Sequence, residues 1–307
     1  MKSLLAGGLC LLALGASACG GSSSSARGRE ITVVASTTQV QDLVRNVGGA
    51  RVRLVGILEP NVDPHEYEPK PSDAAALAEA KLIVESGVGV DAWMAGLLSS
   101  ADERTPTWTA STGLAIRRGD AQEPEGDPHW WHDPRNFEHA ATALAAELGK
   151  VDPAGAGTYA ANAATYVAEI RSMDAANVAD LRQVPVGQRK LVTNHDAFAY
   201  LAARYDLTVV GSVLDSLSTT AQPSAQKIAE LVRKIRSEHV RAIFTESSLN
   251  PKLERQIAAQ AGVGVYTNLY GDTLGPCGSP GATYLQMERW NVQAIVAGLL
   301  GRPEPTR

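Results

Sequence analysis

Short runs rich in β-branched residues alternate along this chain with longer segments whose apolar residues recur at helical spacing. The runs are ITVVAS (31–36), RVRLVGIL (51–58), KLIVES (81–86), KLVTN (190–194), LTVVGS (207–212), RAIFTE (241–246) and VGVYTN (263–268). The helical segments are 39–47, 72–80, 134–150, 224–238 and 251–261. This alternation predicts an α/β fold built on parallel sheets. Several runs are apolar on both faces, which is typical of a sheet covered by helices on both sides.

The alternation is interrupted once, by an alanine-rich segment between Pro153 and Pro185. About thirty residues of helix would span roughly 45 Å. A single long helix between two α/β blocks indicates a stiff connector. We therefore predict two lobes, 31–152 and 185–307, each a parallel sheet covered by helices, joined by one long helix at 153–184.

The first residues have the layout of a secretory signal. Residues 1–18 contain one basic residue, Lys2, then an apolar run too short to span a membrane, then small residues. Cleavage before Cys19 would expose its thiol for lipid attachment, as in a bacterial lipoprotein, and ordinary cleavage after Ala18 is the alternative. The Gly/Ser-rich stretch 19–30 is typical of a flexible tether. We expect a lipid-anchored protein on the extracytoplasmic face of the cytoplasmic membrane.

Charge and cysteine content exclude several classes of protein. The formal net charge is −5 and no basic block is present, which argues against a nucleic-acid partner. Of three cysteines, Cys10 belongs to the signal and Cys19 is the predicted anchor, so no internal disulfide can form. We expect the remaining Cys277 to be a buried free thiol. The apolar segment 294–301 is too short to span a bilayer and predicts part of a packed terminal helix.

Half of the six histidines lie in one stretch, DPHWWHDPRNFEHA (127–140). Pro134 begins a helical pattern on which His139 would face solvent. His132 lies just before that helix, either as an exposed loop residue or as a group that supports a metal ligand. His129 lies between a proline and a tryptophan, where it could bind metal or simply pack.

Other polar residues occupy comparable positions at strand ends. His65 follows an Asp-Pro pair after one predicted strand, His195 directly follows another, and Asp272 follows a third. In open α/β sheets, ligands bind at the carboxyl ends of the strands, so these loops could converge between the lobes. Three imidazoles and one carboxylate suit a borderline divalent ion. His239, at a helix end, is expected at the surface.

Five segments carry a resemblance to a known family. They are VDPHEYEP (62–69), DPHWWHDPRN (127–136), TNHDAFAYLAARYDL (193–207), IFTESSLNPKLERQIA (243–258) and GDTLGPCGSPGATYLQMERWNV (271–292). The chain resembles the metal-binding solute receptors of bacterial ABC importers, which capture zinc or manganese. The resemblance implies two lobes joined by a long helix, metal held between them, and a membrane permease as partner; we expect a monomer. It carries metal ligation onto His65, His129, His195 and Asp272.

The ligand types favour Zn²⁺ over the alternative, Mn²⁺, because manganese-type members more often have a carboxylate where this chain has His195. Two features depart from the family pattern. His132 stands where an apolar residue is usual, which leaves an auxiliary ligand open. The segment 117–127 is short, acidic and free of histidine where zinc members often carry a long histidine-rich loop, and we interpret it as a solvated loop.

The sequence leaves several further points open. Glu246 could orient a ligand histidine or form a cap or salt bridge. Glycines around Asp272 suggest that its loop moves. An open site of three histidines, with Asp272 as a general base, would instead indicate a zinc hydrolase, although no HExxH motif is present. A surface adhesin would share the same metal site.

Overall fold

Two parallel four-stranded sheets form the framework of the protein, which a computed structural model describes over residues 30–121 and 123–305. The first sheet has the strand order β2-β1-β3-β4 and the second has the order β6-β5-β7-β8. The strands of the first sheet are β1 Ile31–Ala35, β2 Val52–Gly56, β3 Leu82–Glu85 and β4 Thr107–Thr109. Those of the second are β5 Lys190–Thr193, β6 Thr208–Ser212, β7 Ala242–Glu246 and β8 Gly264–Leu269. The predicted signal peptide and Cys19 lie outside the described residues.

All seven predicted runs form strands, and the predicted α/β class is confirmed. The strands could be recognised because they are buried on both faces of the sheet and are therefore continuously apolar. In β1, Val33 and Val34 point to opposite faces and both are fully buried. The strand β4 was not predicted, since three residues with a single buried apolar side chain, Trp108, leave no periodic pattern.

Nine helices cover the sheets within the described residues. They are α1 Thr38–Gly48, α2 Pro71–Ala78, α3 Met94–Leu98, α4 Pro134–Val151, α5 Ala156–Leu181, α6 Ala199–Tyr205, α7 Ala225–Ser237, α8 Lys252–Ala261 and α9 Tyr284–Leu299. The helix α4 begins where the sequence predicts. Its N-cap, Asp133, accepts a hydrogen bond from the backbone N–H of Arg135, and Pro134 is the first residue of the helix. The two shortest helices, α3 and α6, were not predicted.

The helix α5 joins the two sheets, as predicted, and its 26 residues span about 39 Å. Most of its length packs on the first lobe, where Tyr159 and Ile170 belong to the same apolar cluster as the β1 core. Its last turn, at Leu181, enters the core of the second lobe. The connector is therefore part of both cores.

A second contact between the lobes comes from α9. Its first residue, Tyr284, stacks on Phe137 of α4 with ring centroids 3.6 Å apart, and both rings are fully buried. Its later turns, including Ile295 and Leu299, belong to the core of the second lobe. This buried interface fixes how the strand-end loops of the two sheets face each other. No helix among the described residues is long and apolar enough to cross a bilayer.

Candidate metal centre

The four residues predicted to bind metal lie together between the two lobes. His65 follows β2, His129 precedes α4, His195 follows β5 and Asp272 follows β8. One potential ligand atom from each residue lies within 4.8 Å of the corresponding atom of every other. Because carboxyl ends of parallel strands meet at one edge of a sheet, two facing sheets bring these loops into a single centre.

The same local turn presents two of the histidines. In each Asp-Pro-His sequence the aspartate accepts a hydrogen bond from the backbone N–H of the histidine, at 2.9 Å for Asp63–His65 and 3.0 Å for Asp127–His129. Asp-initiated turns of this kind stabilise a loop without regular structure. The short Asp-Pro-His motif therefore fixes the backbone from which each ring projects.

The Nε2 atoms of the three rings converge on one carboxylate. The Nε2 atom of His129 lies 3.0 Å from Asp272 Oδ1, and that of His195 lies 3.2 Å from Asp272 Oδ2. The Nε2 atom of His65 is 3.6 Å from the same Oδ2. The Nε2 atoms of His129 and His195 are 3.4 Å apart. Three nitrogen atoms and a carboxylate, all on side chains that are at most 2% exposed, thus surround a common point.

Two of these atoms are buried without a hydrogen-bond partner among the described residues, His65 Nε2 and Asp272 Oδ1. The approach of His129 to Asp272 Oδ1 is close in distance but does not have hydrogen-bond geometry. Buried polar atoms almost always have a hydrogen-bond partner, so two atoms without one at the same centre are unusual. A cation coordinated between them would satisfy both, and the donor set of imidazole and carboxylate fits Zn²⁺ or Mn²⁺.

The opposite ring nitrogen, Nδ1, faces a carboxylate in every case. The distances are 3.0 Å for His65–Glu123, 2.8 Å for His129–Asp127 and 2.7 Å for His195–Glu246. A carboxylate at Nδ1 holds the proton there and directs the lone pair of Nε2 toward the centre. Metal-binding histidines in proteins usually have such a partner, so the arrangement is typical of a metal centre.

Glu246 holds two of the four residues at once. Its Oε1 lies against His195 and accepts from Asn194 at 3.0 Å, while its Oε2 accepts from the backbone N–H of Asp272 at 3.1 Å. A Cβ atom on the neighbouring Gly271 would lie 2.4 Å from Oε2. The carboxylate can therefore reach the backbone of the Asp272 loop only because residue 271 lacks a side chain.

The electrostatics of the centre favour positive charge. Burial alone would lower the pKa of His129, but the carboxylates of Asp127 and Asp272 outweigh it and raise the pKa to about 9. Burial is likewise outweighed at His195, where Asp272 and Glu246 raise the pKa well above its ordinary value. The pKa of Asp272 is held well below its usual range because the histidines outweigh its burial. These surroundings are suited to a divalent cation.

His132 does not belong to this set. It is fully buried, with Nδ1 at 2.7 Å from Glu288 Oε1 and Nε2 at 3.1 Å from the carbonyl oxygen of Gly271. The interpretation as an exposed loop residue is therefore wrong, because α9 packs over the ring. Both nitrogens are engaged, so His132 cannot also bind the metal of this centre. Together with Trp131 Nε1, which donates to the same carbonyl at 3.0 Å, it holds the loop that carries Asp272.

Two other expectations from the sequence were wrong. Cys277 is exposed, because its loop lies outside the packed core. The segment 117–127 is not simply solvated, since Glu123 and Asp127 turn inward to the centre. The sequence did contain a signal for Asp127, which repeats the spacing of the other Asp-Pro-His turn. His139 and His239 are exposed as predicted.

Comparisons with known proteins give matches along most of the chain. A family model described as zinc-uptake complex component A, periplasmic, matches residues 33–298. The metal ABC transporter substrate-binding lipoprotein SloC of Streptococcus mutans is 26% identical over 299 residues, covering 95% of this chain and 96% of its own length. The manganese ABC transporter substrate-binding lipoprotein PsaA of Streptococcus pneumoniae is 28% identical over 287 residues, covering 91% and 92% of the two chains.

Solved structures share the fold. The periplasmic zinc binding protein TroA from Treponema pallidum superimposes with a TM-score of 0.81 at 29% identity, covering 88% of this chain and 99% of TroA. A manganese-bound periplasmic metal binding protein from Candidatus Liberibacter asiaticus gives a TM-score of 0.78 at 24% identity, with 88% and 100% coverage. The second likeness concerns the fold alone. Since the family model spans most of the sequence, the chain belongs to the family of zinc-uptake complex component A, periplasmic.

Proposed function

We propose that this protein captures a divalent transition metal ion outside the cytoplasmic membrane and delivers it to the permease of an ABC importer. The observation that carries the proposal is the convergence of three histidines and one aspartate between the two lobes, with one potential ligand atom from each within 4.8 Å of those of the others. Family membership supports the transport role, because relatives along nearly the whole chain are named as substrate-binding lipoproteins of metal ABC transporters. Such proteins are receptors and not enzymes.

The proposed ligands are His65 Nε2, His129 Nε2, His195 Nε2 and one or both oxygens of Asp272. Binding through one carboxylate oxygen would give the tetrahedral arrangement that Zn²⁺ prefers, and bidentate binding would give five ligand atoms. The position of Asp272 also weakens the hydrolase alternative. A general base would lie outside the ligand set, whereas both oxygens of this carboxylate lie among the imidazole nitrogens.

Zn²⁺ is the proposed cargo and Mn²⁺ is the alternative. Three imidazoles and one carboxylate favour zinc on ligand type, since manganese prefers a larger share of oxygen ligands. The named relatives include both manganese and zinc proteins, so their names do not decide between the two ions. Direct competition between the ions at equilibrium would decide it.

The organisation of the chain follows the same proposal. We assign residues 1–18 to a signal peptide, Cys19 to a lipid anchor, 19–30 to a tether, and the lobes to 31–152 and 185–307 with the connecting helix at 153–184. The named lipoprotein relatives support the anchor. A tether of a dozen residues would let a monomeric receptor reach a permease in the same membrane.

The test is metal content and competitive affinity of the mature domain, measured for wild type and for His65→Ala, His129→Ala, His195→Ala and Asp272→Ala. One tightly bound equivalent of zinc, weakened in all four variants, is expected. Full affinity in Asp272→Ala would refute the four-ligand centre. For transport, cells that lack the protein should accumulate less zinc under metal limitation, and the His195→Ala form should not restore uptake. Equal uptake with and without the protein would contradict delivery to a permease.

A further inference from the structure

Residues 117–121 and 123–127 form contacts both at the metal centre and with the second lobe. At one end Glu123 and Asp127 face two of the histidines. Toward the other end, the backbone N–H of Arg117 donates to the hydroxyl of Tyr200 at 2.8 Å, and Tyr200 belongs to α6 of the second lobe. The segment is therefore in contact with both lobes and with the centre.

Glu123 occupies a site that is shaped for its carboxylate. The residue is 8% exposed, and its Oε1 lies 3.0 Å from His65 Nδ1. A Cβ atom on Gly89, which has φ +84°, would lie 2.8 Å from Glu123 Oε2. The backbone of Gly89 thus closes one side of the carboxylate. Burial, close packing and a specific partner distinguish Glu123 from the exposed Glu125 two residues away.

Asp120 fastens Glu123 to the second lobe. Its Oδ1 accepts from the backbone N–H of Glu123 at 2.8 Å. Its Oδ2 accepts from the backbone N–H of Leu217 at 2.7 Å and from the hydroxyl of Ser216 at 3.1 Å. One carboxylate therefore links the loop after β6 to the residue that contacts His65. A change in the separation of the lobes would lengthen these hydrogen bonds and shift the backbone at Glu123.

The chemistry of imidazole gives the link a role in binding. A neutral histidine carries one ring proton, and a ring binds metal through Nε2 only when that proton is on Nδ1. A carboxylate at Nδ1 fixes this tautomer and the rotation of the ring, and loss of such a partner typically weakens metal affinity 10- to 100-fold. His65 has no other partner at Nδ1 among the described contacts, so the role falls to Glu123.

We propose that Glu123 is a positioning residue for metal capture, holding His65 in its metal-binding orientation, and that Asp120 couples this residue to the second lobe. The inference rests on the proposed function, because it assumes that His65 binds the cargo ion. It predicts that the geometry of a first-lobe ligand depends on a contact with the second lobe. Metal retention would then depend on the closed arrangement of the lobes.

The first experiment measures Zn²⁺ affinity, by competition with a chromophoric chelator, for wild type, Glu123→Ala, Glu123→Gln and the control Glu125→Ala. We expect a 10- to 100-fold loss in Glu123→Ala and a smaller loss in Glu123→Gln, because an amide oxygen can still accept from Nδ1–H. The control should match wild type. Thermal unfolding of the metal-free proteins shows whether each variant is folded. If Glu123→Ala does not fold, the comparison rests on Glu123→Gln.

A second measurement follows the protonation of the His65 ring directly. In zinc-loaded protein with ¹⁵N-labelled histidine, the Nδ1–H signal of His65 should be lost or shifted in Glu123→Ala, while those of His129 and His195 remain. Wild type that binds neither zinc nor manganese would refute the proposed function. Wild type that binds tightly, with unchanged affinity and an unchanged His65 signal in Glu123→Ala, would refute the positioning role alone.

Asp120→Ala tests the coupling. Its zinc dissociation rate, measured by stopped flow with excess chelator, should exceed that of wild type, while the signals of His129 and His195 stay in place. A dissociation rate equal to that of wild type would refute the link between Asp120 and the centre.

Discussion

A single methyl group at residue 271 should weaken metal binding without touching any ligand. In Gly271→Ala the new Cβ would lie 2.4 Å from Glu246 Oε2 and 2.5 Å from Cδ of the same carboxylate. Atoms do not approach this closely, so the Glu246 carboxylate or the 271–272 backbone must move. Either movement breaks the contact between Glu246 and Asp272 N at 3.1 Å and disturbs the contact with His195 at 2.7 Å.

The size of the effect follows from these two contacts. Loss of one orienting partner of a ligand histidine typically reduces affinity 10- to 100-fold, which corresponds to about 1.4–2.8 kcal/mol. Inserting a methylene into a packed interior costs the folded state about 1–3 kcal/mol. We therefore expect both weaker zinc binding and a lower free energy of unfolding, with the four ligand side chains still present.

The assay is competitive zinc titration together with thermal unfolding, each with and without zinc. Gly157→Ala on α5 is the matched control, because a Cβ there meets nothing within 4 Å. It should leave affinity unchanged and stabilise the helix slightly. Zinc affinity of Gly271→Ala within threefold of wild type would show that Glu246 does not depend on the space at residue 271, and the argument would fail.

Three further outcomes are expected. Zinc affinity should fall as the pH is lowered below about 9, because zinc must displace a proton from His129, whose pKa is raised to about 9. Calorimetry of zinc binding in buffers of different ionisation enthalpy should detect the released proton. His132→Ala should lower the free energy of unfolding by about 3–5 kcal/mol, measured by denaturant titration, because Glu288 would remain buried without its partner; a change below about 1 kcal/mol would contradict this. Cys277→Ser should leave zinc affinity unchanged in the same chelator competition, since the thiol is exposed and the ligand side chains are buried.

The sequence predicted the fold because the local and global signals agree. The buried runs 31–36 and 241–246 are apolar on both faces, and the Asp-Pro start of α4 is a local signal that tertiary contacts did not override. The strand β4 and the helix α6 were missed because segments of three and seven residues are shorter than the windows over which apolar periodicity can be recognised.

Three of the residues predicted to bind metal follow strands, and the fourth, His129, lies just before α4. Their positions at strand ends and a helix start, together with the family resemblance, made them recognisable from the sequence. Their supporting partners were harder to predict. Glu123 contacts a histidine 58 positions earlier, and Glu288 contacts one 156 positions earlier, so no spacing rule connects them. His132 was ambiguous for the same reason, since its burial depends on a helix from the far end of the chain. Pairings of this kind follow from packing between the lobes and carry no local signal.

X-ray absorption at the zinc edge, on protein loaded with one equivalent, tests the central claim most directly. The account predicts three imidazole nitrogens at about 2.0–2.1 Å and carboxylate oxygen at about 2.0–2.2 Å, with no sulfur. It also predicts that His65→Ala removes one imidazole from the spectrum and leaves the other two. A sulfur scatterer near 2.3 Å, or a wild-type shell with fewer than three imidazoles, would contradict a centre built from His65, His129, His195 and Asp272.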